Sequence, residues 1–194
     1  MKNVDIDRQQ MTKIEFESKL PSLIAEGKPL IITGLNIANV EQSWTPEYLS
    51  DKLRDRTFSI HRGENHALDF RSKNFVYENQ CPAETFISDC AAGHVRYLRS
   101  VGINFRKDRP NFWSDYNEIS PDLVELRIDR VHSSILRISP KDLEIWLHYD
   151  TLENLLLQCT GTKEILLFDP KDADNLYLCG DKSYCTGLIS NLER

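Results

Sequence analysis

Hydrophobic positions near the start of the chain repeat at helical spacing. Thr12-Lys-Ile-Glu15 has the form of a capping box, which marks a helix start, and Gly27 is typical of a helix end. The apolar positions that fall near one helical face are Ile14, Phe16, Leu20 and Leu23. This pattern predicts a short helix that is interrupted at Pro21 and closed by Gly27.

Apolar runs further along the chain are shorter and predict strands interleaved with brief helices. Extended segments are predicted at Pro29–Thr33, around Phe58 and Ile60, and at Asn74–Tyr77. Helices are predicted to begin at Thr45-Pro46 and at Ser120-Pro121 and to span Ala83–Cys90. The pattern is typical of a mainly β body with flanking helices, an α+β fold.

Four strand-like runs then follow in close succession: Val131–Ile138, Leu143–Asp150, Asn154–Cys159 and Lys163–Phe168. No internal repeat and no Ser- or Gly-rich linker divides the sequence. We therefore expect residues 1–194 to form one domain, with helices and strands over about residues 1–130 and a β-rich part over about residues 131–194.

The composition is that of a folded globular chain. It is 40% hydrophobic and 28% charged, which argues against disorder. No apolar run approaches the roughly 18 residues that span a bilayer, and the N-terminus lacks the apolar segment of a signal peptide. We expect no membrane contact and an intracellular location, the cytoplasm before the nucleus.

Charge bears on nucleic-acid binding. A net charge of −6 speaks against a broadly basic surface but leaves a local one open. The local candidate is a set of cations, Arg96, Arg99, Arg106, Lys107 and Arg109, interleaved with Tyr97, Phe105 and Phe112. We favour the alternative, a solvated connection whose aromatic side chains enter the core.

The cysteines indicate free thiols. They are odd in number and form no Cys-x-x-Cys pair: Cys81, Cys90, Cys159, Cys179 and Cys185. Such a set is typical of a reducing compartment, and a structural zinc site is the less favoured alternative.

The triplet His148-Tyr-Asp150 is the strongest candidate for chemistry. Side chains at positions i and i+2 of a strand lie on one face, so an imidazole and a carboxylate would point to the same place, together with Trp146. Such a pair supplies two of the three ligands of a 2-His-1-carboxylate iron site. Taken alone, the triplet is better explained by chance and a surface hydrogen bond than by a metal site.

Thr160-Gly161-Thr162 predicts a hairpin turn that folds Lys163 back toward the triplet. A lysine in an apolar wall is costly unless it meets an anion, and a dicarboxylate held between a metal and this ammonium would satisfy both. Taken alone, Lys163 is better explained as an exposed lysine at the start of a strand.

Several spaced motifs together resemble the JmjC-type iron(II) and 2-oxoglutarate-dependent oxygenases. They are Trp146-x-His148-x-Asp150, Asn154, Thr160-Gly-x-Lys163 and Leu167-Phe-x-Pro-x-Asp-Ala173. The resemblance covers nearly the whole chain, including Lys28–Gly34 and Ser43–Ser50. It implies a double-stranded β-helix, or jelly roll, with helices packed outside, of which about residues 131–194 would form the first half of the barrel.

Within that superfamily, four segments resemble the hydroxylases of wybutosine biosynthesis: Leu68–Tyr77, Tyr97–Gly102, Ser133–Ser139 and Asp172–Leu178. This resemblance implies hydroxylation of the wybutosine-type base of phenylalanine tRNA, with that tRNA and molecular oxygen as partners. Related enzymes act on protein side chains or demethylate histone lysines, and this alternative stays open.

The resemblance also implies roles for individual residues. His148 and Asp150 match the first two ligands of Fe(II), and Asn154 matches a polar neighbour of the co-substrate. Lys163 and Tyr97 match the residues that bind the distal carboxylate of 2-oxoglutarate. Trp146 would shape the pocket or pack in the core, and the Lys73–Tyr77 signature carries no assigned chemistry, so packing is its safer explanation.

One feature departs from the family. Its members take a third iron ligand from a histidine some tens of residues after the position of Lys163, and no histidine follows His148 here. We expect the chain to be the N-terminal part of a longer enzyme, inactive by itself. The alternative is a catalytically dead product that binds weakly or forms a homodimer.

Overall fold

A computed structural model of the protein describes residues 5–35, 44–70, 72–101, 135–150, 154–179 and 182–183. The described residues fall into two compact units, one holding residues 5–35 and the other holding the rest. None of the described helices has the length and apolar character that a bilayer crossing requires. The expectation of one domain over residues 1–194 stays a prediction.

The first unit is a strand, a helix and a strand. Strand β1 (Asp7–Gln10) pairs in parallel with β2 (Leu30–Thr33), and helix α1 (Lys13–Glu26) is the crossover that a parallel pair needs. The capping box is present, since Thr12 accepts a hydrogen bond from the Glu15 amide and the Glu15 carboxylate accepts one from the Thr12 amide. Gly27 ends the helix at φ 61°, as predicted.

Two details predicted for α1 were wrong. The helix continues through Pro21 to Glu26 rather than being interrupted. Ile14 is 78% exposed, whereas Phe16 is fully buried. The reason is geometric, because residues two positions apart lie about 200° apart around a helix and cannot share a face.

The centre of the second unit is a four-stranded antiparallel sheet. Its order is β5 (Phe75–Pro82), β3 (Thr57–Gly63), β6 (Arg96–Val101) and β7 (Ile135–Ile138). β3, β5 and the end of the first strand-like run confirm the predictions. β6 is a correction, because we predicted a solvated connection there and Arg96–Val101 is a central strand.

Two helices complete this part of the fold. Helix α2 (Pro46–Lys52) is capped by Thr45, as predicted, and contacts α3 (Ala83–Ala91). Helix α3 packs on β5 and β6 and buries Phe86, whose ring meets Phe58 edge-on at 6.0 Å. The buried set is Leu53, Ile60, Ala83, Phe86, Ile87 and Leu98.

A β-bulge interrupts the pairing of β3 with β5. Phe58 lies opposite Cys81, but Ile60 lies opposite Glu78, so β5 carries one more residue than β3 between these pairs. Gln80 adopts φ 61° at this point, a left-handed conformation that glycine adopts more readily.

Smaller elements hold the C-terminal segments. Strand β4 (Ala67–Leu68) pairs in parallel with β8 (Glu144–Ile145), and β9 (Leu178–Cys179) pairs with β10 (Lys182–Ser183). A 3₁₀ helix spans Pro170–Asn175 and is capped by Asp169.

The strand predictions after residue 138 were too long. Within Leu143–Asp150 only β8 and an isolated bridge at His148 form, and no strand forms at 154–159 or 163–168. A strand needs a neighbour for its backbone groups and for its apolar face. The apolar side chains of these two runs are largely exposed: Leu155, Leu156, Ile165, Leu166 and Leu167. The helix predicted at Ser120-Pro121 lies outside the described residues.

Candidate metal and co-substrate site

The triplet follows a chain segment that packs against the face of the four-stranded sheet on which Tyr97 lies. Leu68, Val95 and Tyr97 form a buried cluster, and Trp146 is among the side chains packed against it. The β4–β8 pairing and a hydrogen bond from the Glu144 amide to the His66 carbonyl fix the start of this segment. His148 therefore follows closely after a packed tryptophan.

His148 makes a hydrogen bond that defines its ring chemistry. Its Nδ1 lies 2.9 Å from the carbonyl oxygen of Trp146. A carbonyl can only accept, so Nδ1 carries the hydrogen and Nε2 of the neutral ring keeps its lone pair. The side chain is exposed, and in the neutral ring its Nε2 can bind a metal.

Asp150 is held by Asn154. The Asn154 side-chain amide donates to Asp150 Oδ2 at 2.9 Å. His148 thus donates its hydrogen bond to Trp146, and Asp150 accepts one from Asn154. A surface hydrogen bond between His148 and Asp150 therefore does not explain the pair. An amide that orients a carboxylate is typical of the outer shell of a metal site.

The donors fit a transition metal in part. A neutral imidazole nitrogen and a carboxylate suit ferrous iron and similar ions. Among the residues that the structure describes, however, no group of three His, Cys, Asp or Glu side chains comes together. The described part of the chain therefore does not form a three-ligand site, and the assignment of His148 and Asp150 as metal ligands stays a prediction.

Tyr97 lies in the central strand β6 and is 5% exposed. Burial raises the pKa of its hydroxyl group, and the positive charges of Arg137 and Arg99 act in the opposite direction. Tyr97 is therefore a neutral hydrogen-bond donor close to two cations.

Lys163 follows a bend at Thr160 and Gly161, and the predicted hairpin turn was wrong because no strand forms at 154–159 or 163–168. Gly161 adopts φ 71° there, a left-handed conformation that glycine adopts readily. The side chain is exposed overall, yet partial burial, and then the charge of Arg137, lower the pKa of its ammonium group. Both Lys163 and Tyr97 thus lie close enough to Arg137 to feel its charge.

Arg137 was not predicted as a site residue. It lies on β7 directly opposite Arg99 on β6. In the described part of the chain, no carboxylate forms an ion pair with Arg137, Arg99 or Lys163. The only sequence signal is an arginine inside the apolar run Ile135-Leu-Arg-Ile138, which becomes informative once the strand register is known.

Aromatic rings form a continuous strip on the same side of the sheet as Tyr97. Tyr77 and His61 are cross-strand partners with ring centroids 4.6 Å apart. Phe75 lies 5.8 Å from Tyr77 and stacks on Trp146 at 5.5 Å with planes 15° apart. We call Phe75, Tyr77, His61 and Trp146 the aromatic strip. Phe75 and Tyr77 belong to the signature that had no assigned chemistry.

His61 is the basic member of the strip. Its Nδ1 is buried and has no hydrogen-bond partner among the described residues, and Tyr97 lies 5.5 Å away between ring centroids. Burial lowers the pKa of the His61 ring, the Tyr97 backbone acts in the opposite direction, and the charge of Arg99 adds a smaller lowering. His61 is therefore neutral at pH 7.

The basic segment is only partly described. Arg96 forms an ion pair with Asp89 at 2.9 Å, Tyr97 is buried and Arg99 is exposed. Arg106, Lys107 and Arg109 lie outside the described residues, together with the aromatic positions between them.

The described cysteines are free thiols, as predicted. Cys81, Cys90 and Cys159 form no disulfide. Burial raises the pKa of Cys90 to about 12, which makes it an inert core thiol.

Comparison with known proteins adds evidence of relationship. The family model described as "Cupin-like domain" matches residues 17–189. The chain is 35% identical over 192 residues to tRNA wybutosine-synthesizing protein 5 of Mus musculus, covering 91% of the chain and 60% of that protein. It is 34% identical over 185 residues to the Danio rerio protein of the same name, covering 89% and 56%.

A second group of relatives has a different name. The chain is 33% identical over 172 residues to tRNA wybutosine-synthesizing protein 4 of Emericella nidulans, covering 84% of the chain and 16% of that protein. The chain thus spans less than two thirds of the length of these curated relatives.

Proposed function

Because the chain belongs to the cupin-like domain family, we propose that it carries the metal and co-substrate residues of an Fe(II)- and 2-oxoglutarate-dependent hydroxylase. The proposed substrate is the wybutosine-type base of phenylalanine tRNA. The observation that carries the proposal is the His148 and Asp150 pair, in which Nε2 is left free and the carboxylate is oriented by Asn154. The names of the relatives support tRNA as the substrate class.

In this proposal the His148 imidazole and the Asp150 carboxylate would hold the iron. When bound, Fe(II) supplies the redox chemistry by which dioxygen oxidises 2-oxoglutarate to succinate and carbon dioxide and hydroxylates a substrate carbon. The Nδ1 hydrogen bond to Trp146 keeps the imidazole in the ligating tautomer. Asn154 prevents the carboxylate from rotating away, which lowers the entropic cost of binding the metal.

The co-substrate is a dianion, and the residues proposed for it are suited to one end of it. Lys163 offers an ammonium group and Tyr97 a neutral hydroxyl donor, as a carboxylate requires. The lowered pKa of Lys163 reflects a cation that is partly buried near another cation. Binding a carboxylate there would remove that repulsion and favour the charged lysine.

An anaerobic titration of the full-length protein tests the proposal. Fe(II) and 2-oxoglutarate together should give a visible metal-to-ligand absorption band. The His148→Ala and Asp150→Ala variants should lose the band, while His94→Ala, which changes an exposed histidine, should keep it. Absence of the band in the wild-type full-length protein would contradict the proposal.

The substrate requires a separate assay. Hydroxylated product is measured on phenylalanine tRNA that carries the precursor base and, in parallel, on pools of peptides. We expect product on the tRNA alone. Product on peptides alone would keep the chemistry and replace the substrate by a protein, which is the alternative that related enzymes suggest.

The 194-residue chain and a longer form can be compared in the same titration. We expect the band only in a protein that supplies a third ligand, because two ligands leave the metal weakly held.

An intracellular location goes with a tRNA substrate. A homodimer would be recognised by its molecular mass in light scattering.

A further inference from the structure

The exposure of Tyr77 is not explained by packing. The side chain is 67% exposed, although its ring lies against His61 and Phe75. An aromatic ring that packs for stability alone normally buries most of its surface. Tyr77 instead presents much of its side chain to solvent from strand β5.

The aromatic strip leads from Tyr77 to the candidate metal ligands. Phe75 stacks on Trp146, and the Trp146 carbonyl accepts the hydrogen bond from the His148 ring. On its other side, His61 brings the strip to Tyr97. An aromatic surface therefore adjoins both the proposed iron ligands and a proposed 2-oxoglutarate residue.

Cations lie beside this surface. Arg99 is near enough to lower the pKa of His61, and Arg137 lies opposite Arg99 in the sheet. In the part of the chain that the structure describes, neither guanidinium is paired with a carboxylate. An exposed aromatic ring next to arginines that have no carboxylate partner among the described residues fits single-stranded nucleic acid, whose bases stack and whose phosphates bind guanidinium groups.

We propose that Tyr77, supported by His61 and Phe75, is a stacking surface for an unpaired nucleobase of the RNA substrate, and that Arg99 meets a neighbouring phosphate. This inference rests on the proposed tRNA function and assigns a role to the Phe75–Tyr77 part of the signature. The base would recognise the aromatic ring at position 77 and not merely the volume of its side chain. Replacement by tryptophan should preserve binding and replacement by leucine should weaken it.

The experiment measures binding of an anticodon stem-loop RNA of phenylalanine tRNA to the full-length protein loaded with Fe(II) and 2-oxoglutarate without oxygen. The RNA carries 2-aminopurine beside the anticodon, whose fluorescence is quenched on stacking. We expect Tyr77→Leu to raise the Kd about tenfold and to abolish the protein-dependent quenching, while Tyr77→Trp retains both. Tyr177→Leu is the matched control, because Tyr177 is 66% exposed and lies outside the strip.

Arg99 has a separate signature. Arg99→Gln should weaken binding at low salt and reduce the slope of log K against log salt by about one, without changing the quenching of the bound RNA. An unchanged salt slope would remove the phosphate contact from the proposal.

Three results would overturn the stacking inference. The first is an unchanged Kd and quenching in Tyr77→Leu, and the second is an equal loss in Tyr177→Leu. The third is a large drop in the melting temperature of Tyr77→Leu, which would show that protein covers the ring in the full-length molecule. If RNA binds with Tyr77-dependent quenching but no hydroxylated base is formed, the proposed function fails and the stacking surface stands. If product forms and Tyr77→Leu leaves the KM for the RNA unchanged, the proposed function stands and the stacking inference fails.

Discussion

The four-stranded sheet and the segment 154–168 differ in how they treat their apolar side chains. In the sheet, Ile60 and Leu98 are covered by α3 and its neighbours and are at most 1% exposed. In the segment 154–168, Leu155 and Leu167 are each 57% exposed. The sequence patterns differ, since the strands that hold Ile60 and Leu98 mix apolar and polar residues whereas the segment 154–168 contains continuous apolar runs. The two regions also differ in whether a described element packs on their apolar side chains.

The residues that stabilise the second unit and the residues proposed for chemistry lie in different regions of the chain. The sheet with α3 supplies most of the buried apolar surface of the second unit. The proposed ligands and Lys163 lie in or next to chain segments with little regular structure. Segments of that kind belong to the low-stability end of a fold and depend on few contacts to fix their geometry. The Trp146 and Asn154 hydrogen bonds are such contacts.

The largest expected effect is in the core of the sheet. Phe86→Ala should lower the free energy of unfolding by about 3–5 kcal/mol, because it removes a fully buried ring that contacts Phe58. Leu166→Ala is the matched change in the exposed segment and should alter it by about 0.5 kcal/mol or less, since Leu166 is 47% exposed. Urea denaturation of both variants measures the contrast. Equal losses would show that Leu166 is covered in solution.

A smaller effect is expected for the proposed anion site. Lys163→Ala should weaken 2-oxoglutarate binding by about 10- to 100-fold, the range of a lost charge-assisted hydrogen bond. Calorimetry on the metal-loaded full-length protein measures this. Lys171→Ala is the control, because Lys171 is an exposed lysine 3.9 Å from Asp169. An equal loss in both variants would indicate a general charge effect and would remove Lys163 from the site.

Asn154 tests whether one hydrogen bond fixes a ligand. Asn154→Ala should weaken metal binding by about tenfold, because Asp150 would lose the amide that orients it. Gln158→Ala removes another side-chain amide of the same segment, one that donates to the Thr160 carbonyl, and should leave metal affinity unchanged. Competition with a chelator provides the affinities. Unchanged binding in Asn154→Ala would mean that Asp150 is oriented by other groups or is not a ligand.

The smallest effect is a pH dependence that arises in the sheet. Burial lowers the pKa of His61 in the folded protein below its ordinary value of about 6.5, so the unfolded chain binds the proton more readily. The free energy of unfolding should therefore fall as the pH drops below about 6.5 and level off below the folded pKa. The titratable and charged groups that face His61 are Tyr77, Tyr97 and Arg99, none of which is a carboxylate or a second imidazole. Denaturation of wild type and His61→Phe at several pH values checks this, since the variant should show a weaker dependence.

Local signals made much of the fold predictable. Caps at Thr12 and Thr45 and the left-handed Gly27 depend only on neighbouring residues, and they were predicted correctly. β6 was missed because its arginines resemble a solvated loop. The burial of Tyr97 agrees with the prediction that the aromatic side chains enter the core, but only the tertiary structure shows Arg96 paired with Asp89 and Tyr97 within a central strand.

In the candidate site, too, the features that depend on neighbouring residues were predictable and those that depend on distant strands were not. His148, Asp150 and Asn154 are close in sequence and were recognised from their spacing, and the resemblance they supported is confirmed by the family match and the relatives. Arg137 and the aromatic strip come together only through strand register. A single sequence does not contain that register in readable form, because pairing between distant strands depends on the whole sheet.

The bulge at Gln80 determines how a change in the length of β5 would alter the aromatic strip. Side chains of a strand alternate between faces, so deleting the extra residue of β5 would force either Cys81 and the start of α3 or the residues before the bulge to shift by one. In the second case Phe75 and Tyr77 would turn to the opposite face of the sheet, and Val76 would take their place next to His61. A one-residue deletion there would exchange an aromatic surface for an aliphatic one without changing any residue in it.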